Sequence, residues 1–178
     1  MDEGSITVYF GDGAGKSSAA LGAAMRCASK GGTAYVIQFL KGQIESEYVK
    51  RLEPELKFFR FERSLEVYDS RSEQERIDDK VNISNGINFA RKVLSTGECD
   101  LLVLDEVLGA VGEGMLDESE LAQALDARAP GMQVILTGRP LMEAVLDKAD
   151  YVYEIVPEQS RDDIEKEENP VKWTESGY

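Results

Sequence analysis

The chain has 178 residues, no histidine, and a formal net charge of −14 from 34 acidic and 20 basic side chains. This length fits one domain with a buried core, and the acidic balance disfavours nonspecific binding to nucleic acid or to an anionic membrane. The absence of histidine excludes Ser-His-Asp triads, Cys-His pairs and imidazole metal ligands, which leaves lysine, arginine, carboxylates, hydroxyls, backbone dipoles or a cofactor for any chemistry.

Strand-like segments rich in Val, Ile, Leu and Tyr alternate with helical segments along most of the chain. Strands are predicted at 6–10, 33–39, 56–61, 101–104, 133–136 and 151–156, and helices at 17–29, 73–94, 118–125 and 141–149. In the helix at 73–94, one apolar stripe is predicted from Ile77, Val81, Ile83, Ile87, Ala90 and Leu94. This alternation predicts a single-domain α/β fold, a mostly parallel sheet with helices on both faces, which binds ligands at the carboxyl ends of its strands.

A glycine-rich loop follows the first strand. Residues 11–18 read Gly-Asp-Gly-Ala-Gly-Lys-Ser-Ser and open an alanine-rich helix. The glycines permit positive φ and let backbone N–H groups close on phosphate oxygens, while Lys16, the Ser17 hydroxyl and the helix N-terminus suit an anion and its metal. The usual G-x-x-x-x-G-K-[ST] spacing would begin at Phe10, so the glycine pattern is shifted by one position. We predict a nucleoside triphosphate site, with a turn that binds nothing as the less favoured alternative.

Two carboxylates, Asp105 and Glu106, end the apolar run 101–104. One strand away from a phosphate loop, such residues are suited to hold Mg²⁺ directly or through water. We therefore place Asp105 on the metal side with Ser17, and expect Glu106 to complete the metal shell or to reach the substrate. The alternative is an acidic helix cap after a buried strand.

Two arginines are further candidates for phosphate contacts. Arg139 follows the apolar run 134–136 and Thr137-Gly138, which places it at the same rim as Lys16, where its planar fork of donors suits phosphate oxygens. Arg26, deeper in the first helix, is a candidate for the tail of the nucleotide, and an ordinary surface arginine is an equally good interpretation of it.

The remaining features indicate location and boundaries. The domain is expected to cover 1–156, followed by an acidic, solvated tail at 157–178. Because no apolar run has the length of a membrane span and the N-terminus lacks the pattern of a secretion signal, we expect a cytoplasmic protein. Cys27 and Cys99 have no ligand or CxxC spacing and are expected to be small apolar fillers.

These residues resemble the ATP:corrinoid adenosyltransferases, also called cob(I)yrinic acid a,c-diamide adenosyltransferases. The resemblance runs over about 6–156 and rests on the loop at 11–18 with the Ala-Ala-Leu-Gly that follows it, on Arg26, and on the segments 36–42, 102–106 and 135–139. The family shares the shifted glycine spacing. The segment 38–42, Gln-Phe-Leu-Lys-Gly, is the most diagnostic piece.

The resemblance implies a P-loop enzyme that transfers the 5′-deoxyadenosyl group of ATP to the cobalt of a reduced Co(I) corrinoid, releasing triphosphate, in adenosylcobalamin synthesis or salvage. It implies Mg²⁺ with the ATP, electrons from a flavoprotein reductase, and a homodimer. The catalytic residues expected are Lys16, Glu106 and Arg139, and the metal residues are Ser17, Asp105 and Glu106. The nucleotide contacts expected are Gly11, Asp12, Gly13, Ala14, Gly15, Lys16, Ser17, Ser18, Arg26 and Arg139.

Two loop residues depart from the family pattern, which commonly reads G-N-G-K-G-K-T-T. Asp12 replaces an amide by a negative charge and Ala14 removes a lysine, so weaker ATP binding is expected. Apolar surface for the corrin is sought at Phe58, Phe59, Phe61 and Tyr68, for which core packing is the favoured alternative. Two other functions stay open: a P-loop ATPase or phosphotransferase in which Glu106 positions a hydroxyl or water, and a noncatalytic ATP-binding module.

Overall fold

A computed structural model describes residues 4–40, 50–61 and 72–157. Within these ranges the elements are β1 (Ile6–Phe10), α1 (Lys16–Ser29), β2 (Ala34–Gln38), β3 (Leu56–Arg60), α2 (Glu73–Thr96), β4 (Leu101–Asp105), α3 (Val107–Gly112), α4 (Glu118–Asp126), β5 (Gln133–Gly138), α5 (Glu143–Leu146) and β6 (Tyr151–Glu154). All six predicted strands are present. The helix expected at 141–149 is shorter, and α3 was not predicted. The acidic tail lies outside the described residues, apart from Pro157.

The six strands pair in parallel in the order β3-β2-β4-β5-β1-β6. Their carboxyl ends therefore lie along one edge of the sheet. Because β5 runs between β1 and β4, one strand separates the glycine loop after β1 from the carboxylates that end β4. The predicted parallel α/β architecture is confirmed.

Helices cover both faces of this sheet. On one face, Ala20 and Ala24 of α1 are fully buried against the strands, with Val36 and Val103 in the same cluster. Small side chains let this helix approach the sheet closely, which fixes the loop at its N-terminus. On the other face, α2 and α4 pack on a larger core that includes Leu102, Leu104 and Leu136.

The apolar stripe predicted for α2 is wrong at two positions. Ile83, Ile87, Ala90 and Leu94 are buried as expected, but Ile77 and Val81 are 50% and 55% exposed. The step from Val81 to Ile83 is two residues, which turns about 200° around a helix, so the first pair points away from the core. Ile77 and Val81 therefore lie on the solvent side of α2.

The phenylalanines considered for the corrin belong to the core. Phe59 and Phe61 each pack against Phe89, with ring centroids 4.6 and 5.8 Å apart, and Phe58 packs on the α1 side of the sheet. Core packing, the favoured alternative, is confirmed for these three residues. Tyr68 lies outside the described residues.

Both cysteines are packed rather than reactive. Cys99 is buried, and burial raises the pKa of its thiol to about 12. Burial also raises the pKa of the half-buried Cys27 thiol. A neutral thiol is a poor nucleophile and metal ligand, which agrees with a filler role for both. In the ranges described, no helix has the length and apolar character needed to cross a membrane.

Candidate active site

The glycine loop lies against the residue that follows β6. Gly13 donates its N–H to the Ile155 carbonyl oxygen at 2.7 Å, and a Cβ placed on Gly11 or Gly13 would come within 2.6 or 2.7 Å of that same oxygen. Gly11 and Gly15 also have φ of 107° and 109°, in the left-handed region. The loop thus needs glycine both for its backbone turns and for its close contact with Ile155.

The loop ends at the N-terminus of α1, where a positive field is concentrated. Gly15 precedes the helix without a side-chain cap, and the first turn contains no acidic residue. The backbone N–H groups of this turn, which includes Ser17 and Ser18, and the helix dipole favour an anion here. Lys16 adds its ammonium, which donates to the carbonyl oxygens of Gly11 and Gly13 at 2.6 and 2.9 Å.

Arg139 reaches the same loop from the end of β5. Its guanidinium donates to the Asp12 carboxylate and forms an ion pair with it. This places Arg139 at the rim with Lys16, as the sequence predicts. Both side chains of the pair are largely exposed, at 66% and 74%, so water screens the pair and its net contribution to stability is small.

Asp105 is held in a buried hydrogen-bond network. One of its carboxylate oxygens accepts from the Thr137 hydroxyl at 2.7 Å, and the other accepts from the Gln38 side-chain amide at 3.5 Å. Gln38 in turn accepts from the Arg60 guanidinium at 3.4 Å. The strand register brings these side chains next to one another, because Gln38 pairs with Arg60 on one side and with Asp105 on the other. Asp105 is 3% exposed, so its carboxylate faces these partners rather than open solvent.

Glu106 sits between this network and an open cleft. Glu106 has φ of 63° and immediately precedes α3. Its carboxylate makes no capping hydrogen bond to the helix, so the alternative of an acidic helix cap is wrong for Glu106. Its backbone N–H donates to the Thr137 hydroxyl at 2.9 Å. The side chain lines the cleft together with residues of the loop and of the β5 end.

This cleft has a volume of about 640 Å³ and opens beside the glycine loop. Its charged groups are Asp12, Glu106, Glu113, Arg139 and Glu154. Its other lining residues are small or apolar: Phe10, Gly11, Leu40, Gly109, Gly112, Pro140 and Leu141. Because the cleft shares Gly11 and Asp12 with the loop, a molecule inside it would lie next to a bound polyphosphate.

Glycines allow α3 to pack closely against the end of β5 at one wall of the cleft. A Cβ on Gly112 would lie 2.5 Å from Pro140 Cδ, and a Cβ on Gly138 would lie 2.8 Å from the Gly109 nitrogen. The helix therefore lies in close contact with Gly138 at the end of β5 and with Pro140 beyond it. Sequence reasoning missed this helix because it has only six residues, of which two are glycine.

Arg26 is the one predicted site residue at the opposite edge of the sheet. It lies in the last turn of α1, ten positions after Lys16, which corresponds to about 15 Å along a helix. There it lines a second cleft of about 410 Å³ with Lys30, Gly32 and Asp100. The described geometry does not bring Arg26 to the loop, and its contact with the nucleotide stays a prediction.

Two residues of the site were not selected from the sequence. Gln38 and Thr137 are 4% and 0% exposed, and both bind the Asp105 carboxylate. A signal was present for each, because each is a polar residue at the end of a strongly apolar strand. Such a position at the carboxyl edge of a parallel sheet favours a role at the ligand site.

Known proteins resemble this chain over most of its length. The corrinoid adenosyltransferase of Escherichia coli strain K12 is 32% identical over 156 residues, which cover 88% of this chain and 78% of that protein. The corrinoid adenosyltransferase CobA of Salmonella typhimurium gives the same identity and coverage, and a corrinoid adenosyltransferase of Pseudomonas aeruginosa is 27% identical over 86% of this chain and 75% of its own.

Among solved structures, the ATPase EscN of the enteropathogenic E. coli type III secretion system is similar with a TM-score of 0.46 and 16% identity, over 85% of this chain and 42% of that one. The family model described as ATP:corrinoid adenosyltransferase BtuR/CobO/CobP matches residues 2–168. The loop, the acidic strand end and the arginine at the rim all fall inside that match. The chain therefore belongs to the ATP:corrinoid adenosyltransferase family.

Proposed function

We propose that this protein transfers the 5′-deoxyadenosyl group of ATP to the cobalt of a reduced Co(I) corrinoid. The electron pair of Co(I) forms a bond to C5′ of the ribose, the C5′–O bond breaks, and its electron pair leaves with triphosphate while cobalt becomes Co(III). The carrying observation is the cleft of about 640 Å³ that shares Gly11 and Asp12 with the phosphate loop. Membership of the adenosyltransferase family supports the same reaction.

The glycine loop, Lys16 and Arg139 would bind the triphosphate and stabilise it as it leaves. Negative charge grows on the leaving oxygen in the transition state, so positive groups fixed beside it lower the barrier. The Lys16 ammonium already lies within the loop, 2.6 Å from the Gly11 carbonyl oxygen, and needs only to exchange a carbonyl partner for a phosphate oxygen. Arg139 must likewise exchange Asp12 for phosphate.

No protein base is needed for this reaction, which fits a chain without histidine. Co(I) is a strong nucleophile, and the bond to C5′ forms without transfer of a proton. The task of the protein is to hold C5′ in line between the cobalt and the leaving oxygen. Leu40 and Leu141 give the cleft apolar walls for the corrin, and Glu106 lines the same cleft.

Mg²⁺ fits the oxygen donors at this edge. Ser17, Asp105 and Glu106 would hold it together with phosphate oxygens and water, and the bound ion would neutralise part of the triphosphate charge. Asp105 is 3% exposed and bonded to Thr137, so its contact with the ion is expected to run through water. An ion that arrives with its nucleotide needs only one or two protein carboxylates besides the phosphate oxygens and water.

The products of ATP test the proposal. The purified protein is incubated with MgATP and a corrinoid under a chemical reductant verified to give Co(I). We expect inorganic triphosphate and a light-sensitive Co–C bond in equal amounts. ADP and phosphate would instead indicate an ATPase or phosphotransferase, and tight ATP binding with no turnover of any corrinoid would indicate a binding module.

Several finer features stay predictions. A flavoprotein reductase is expected to supply the electrons, the protein is expected in the cytoplasm, and a homodimer is expected from the family. The use of the product in synthesis or in salvage also belongs to this proposal.

A further inference from the structure

Thr137 is a buried hydroxyl that the proposed reaction does not use directly. It lies in β5 and is 0% exposed. Its hydroxyl donates to the Asp105 carboxylate at 2.7 Å and accepts from the Glu106 backbone N–H at 2.9 Å. Because a backbone N–H can only donate, the hydroxyl accepts from Glu106 and keeps its own proton for the Asp105 carboxylate, so it bonds to two consecutive residues.

The residue that receives this support has an unusual backbone. Within the described ranges, Glu106 is the only non-glycine residue with positive φ, at 63°. The left-handed region is disfavoured for a residue with a Cβ and persists only where surrounding contacts enforce it. The hydrogen bond from its N–H to the Thr137 hydroxyl is such a contact, and it lies at the junction between β4 and α3.

We propose that Thr137 is the positioning residue that holds Glu106 in its left-handed conformation and so keeps the Glu106 carboxylate at the cleft. The hydroxyl links β5 to the carboxyl end of β4, so the placement of Glu106 depends on the pairing of two strands rather than on α3 alone. This inference rests on the proposed function, in which Glu106 lies beside the reacting groups. Thr137 is not among the residues that line the cleft; it acts through Glu106, and its bond to Asp105 orients the hydroxyl.

Substitutions that keep or remove the hydroxyl test this role. Thr137→Val keeps the shape of the side chain and loses both hydrogen bonds, whereas Thr137→Ser keeps the hydroxyl. We expect Thr137→Val to lower kcat about 10- to 100-fold, since small misplacements of reacting groups have effects of this size, with the KM for ATP changed less than about twofold. Thr137→Ser should restore kcat to within about threefold of the native value.

A matched control is available at the other edge of the sheet. The Thr33 hydroxyl donates to the Asp100 carboxylate at 3.1 Å, so Thr33→Val removes a similar threonine-to-aspartate bond far from the loop. This variant should retain the native kcat. A native kcat in Thr137→Val, or an equal loss in Thr137→Ser and Thr137→Val, would overturn the inference.

A double-mutant cycle tests whether Thr137 acts through Glu106. In a Glu106→Ala background, Thr137→Val should lower kcat by less than about twofold, because the side chain that it positions is already gone. The same 10- to 100-fold loss in both backgrounds would mean that Thr137 acts by another route and would contradict the proposal.

Crystal structures of the variants give a readout that does not need turnover. Glu106 should keep positive φ in Thr137→Ser and leave the left-handed region in Thr137→Val; an unchanged Glu106 in Thr137→Val would overturn the inference. If the native protein adenosylates no corrinoid, the proposed reaction fails while this structural test still decides the role of Thr137. If the native protein is active and Glu106 is unmoved, the inference about Thr137 fails alone.

Discussion

Asp12 in the glycine loop forms an ion pair with Arg139, 127 positions later in the chain. Asp12 thus has a negative charge at a position where the family loop commonly carries Asn. In the structure the Asp12 carboxylate pairs with the Arg139 guanidinium, which we propose binds the triphosphate. A nucleotide must therefore compete with Asp12 for Arg139, and Lys16 is left as the cation of the loop with no acidic partner in the structure as described.

Asp12→Asn should strengthen ATP binding. The substitution frees Arg139 and removes a carboxylate from the phosphate site, and exposed charge contacts of this kind are worth about 1 kcal/mol, or about fivefold in Kd. Calorimetric titration with MgATP at low salt measures the change, which should shrink at high ionic strength. Asp126→Asn, which breaks the Asp126–Lys148 pair, provides the matched control. Equal Kd values for Asp12→Asn and the native protein would contradict this account.

Lys16→Ala should abolish most activity. Its ammonium donates to the Gly11 and Gly13 carbonyl oxygens of the loop, where we propose that the triphosphate binds, so we expect kcat/KM to fall at least about 100-fold, or about 2.7 kcal/mol of transition-state stabilisation. Lys30→Ala removes the same charge at the other end of α1 and should leave the rate near native. A near-normal kcat/KM in Lys16→Ala would refute the role of Lys16 in stabilising the leaving group.

Glu106→Gly should give a more stable protein than Glu106→Ala. Glycine has no Cβ to oppose φ of 63°, so the difference in unfolding free energy should be about 1 kcal/mol in favour of glycine. Urea denaturation measures it, and both variants should lose activity. Glu113, at the other end of α3 with φ of −86°, is the matched control, because glycine should bring no advantage over alanine there. Alanine and glycine of equal stability at position 106 would show that the backbone is not strained.

Cys99 should make the protein less stable above pH 9. Burial raises the pKa of its thiol from 9.0 to about 12, so the folded chain keeps a proton that the unfolded chain releases. Unfolding is then favoured as pH rises between these two values, and between pH 8 and pH 10 the loss should be about 1 kcal/mol. Urea denaturation of the native and Cys99→Ala proteins at both pH values measures the contribution of the Cys99 thiol to the change in unfolding free energy. The same pH dependence in the two proteins would contradict the shifted pKa.

Local patterns in the sequence were enough to predict the parallel α/β sheet and the candidate site residues at the ends of its strands. The apolar run 101–104 with its two carboxylates, and the glycines of 11–15 before Lys16, are each readable within a few residues. Such patterns report backbone conformation and burial over short stretches. They did not resolve the face of Ile77 and Val81, or a six-residue helix that contains Gly109 and Gly112.

The strand order decided which side chains at the ends of the strands come into contact. With β5 between β1 and β4, Thr137 bonds to Asp105 and to Glu106, and Arg139 reaches Asp12, while the length of α1 carries Arg26 to the opposite edge. Pairing of this kind joins residues that are distant in the chain, and it is set by which arrangement buries the apolar faces and satisfies the backbone hydrogen bonds. Composition and periodicity do not encode that choice locally. The sequence by itself therefore determined the sheet, the phosphate loop and the candidate residues, and only the tertiary structure determined which of those residues meet.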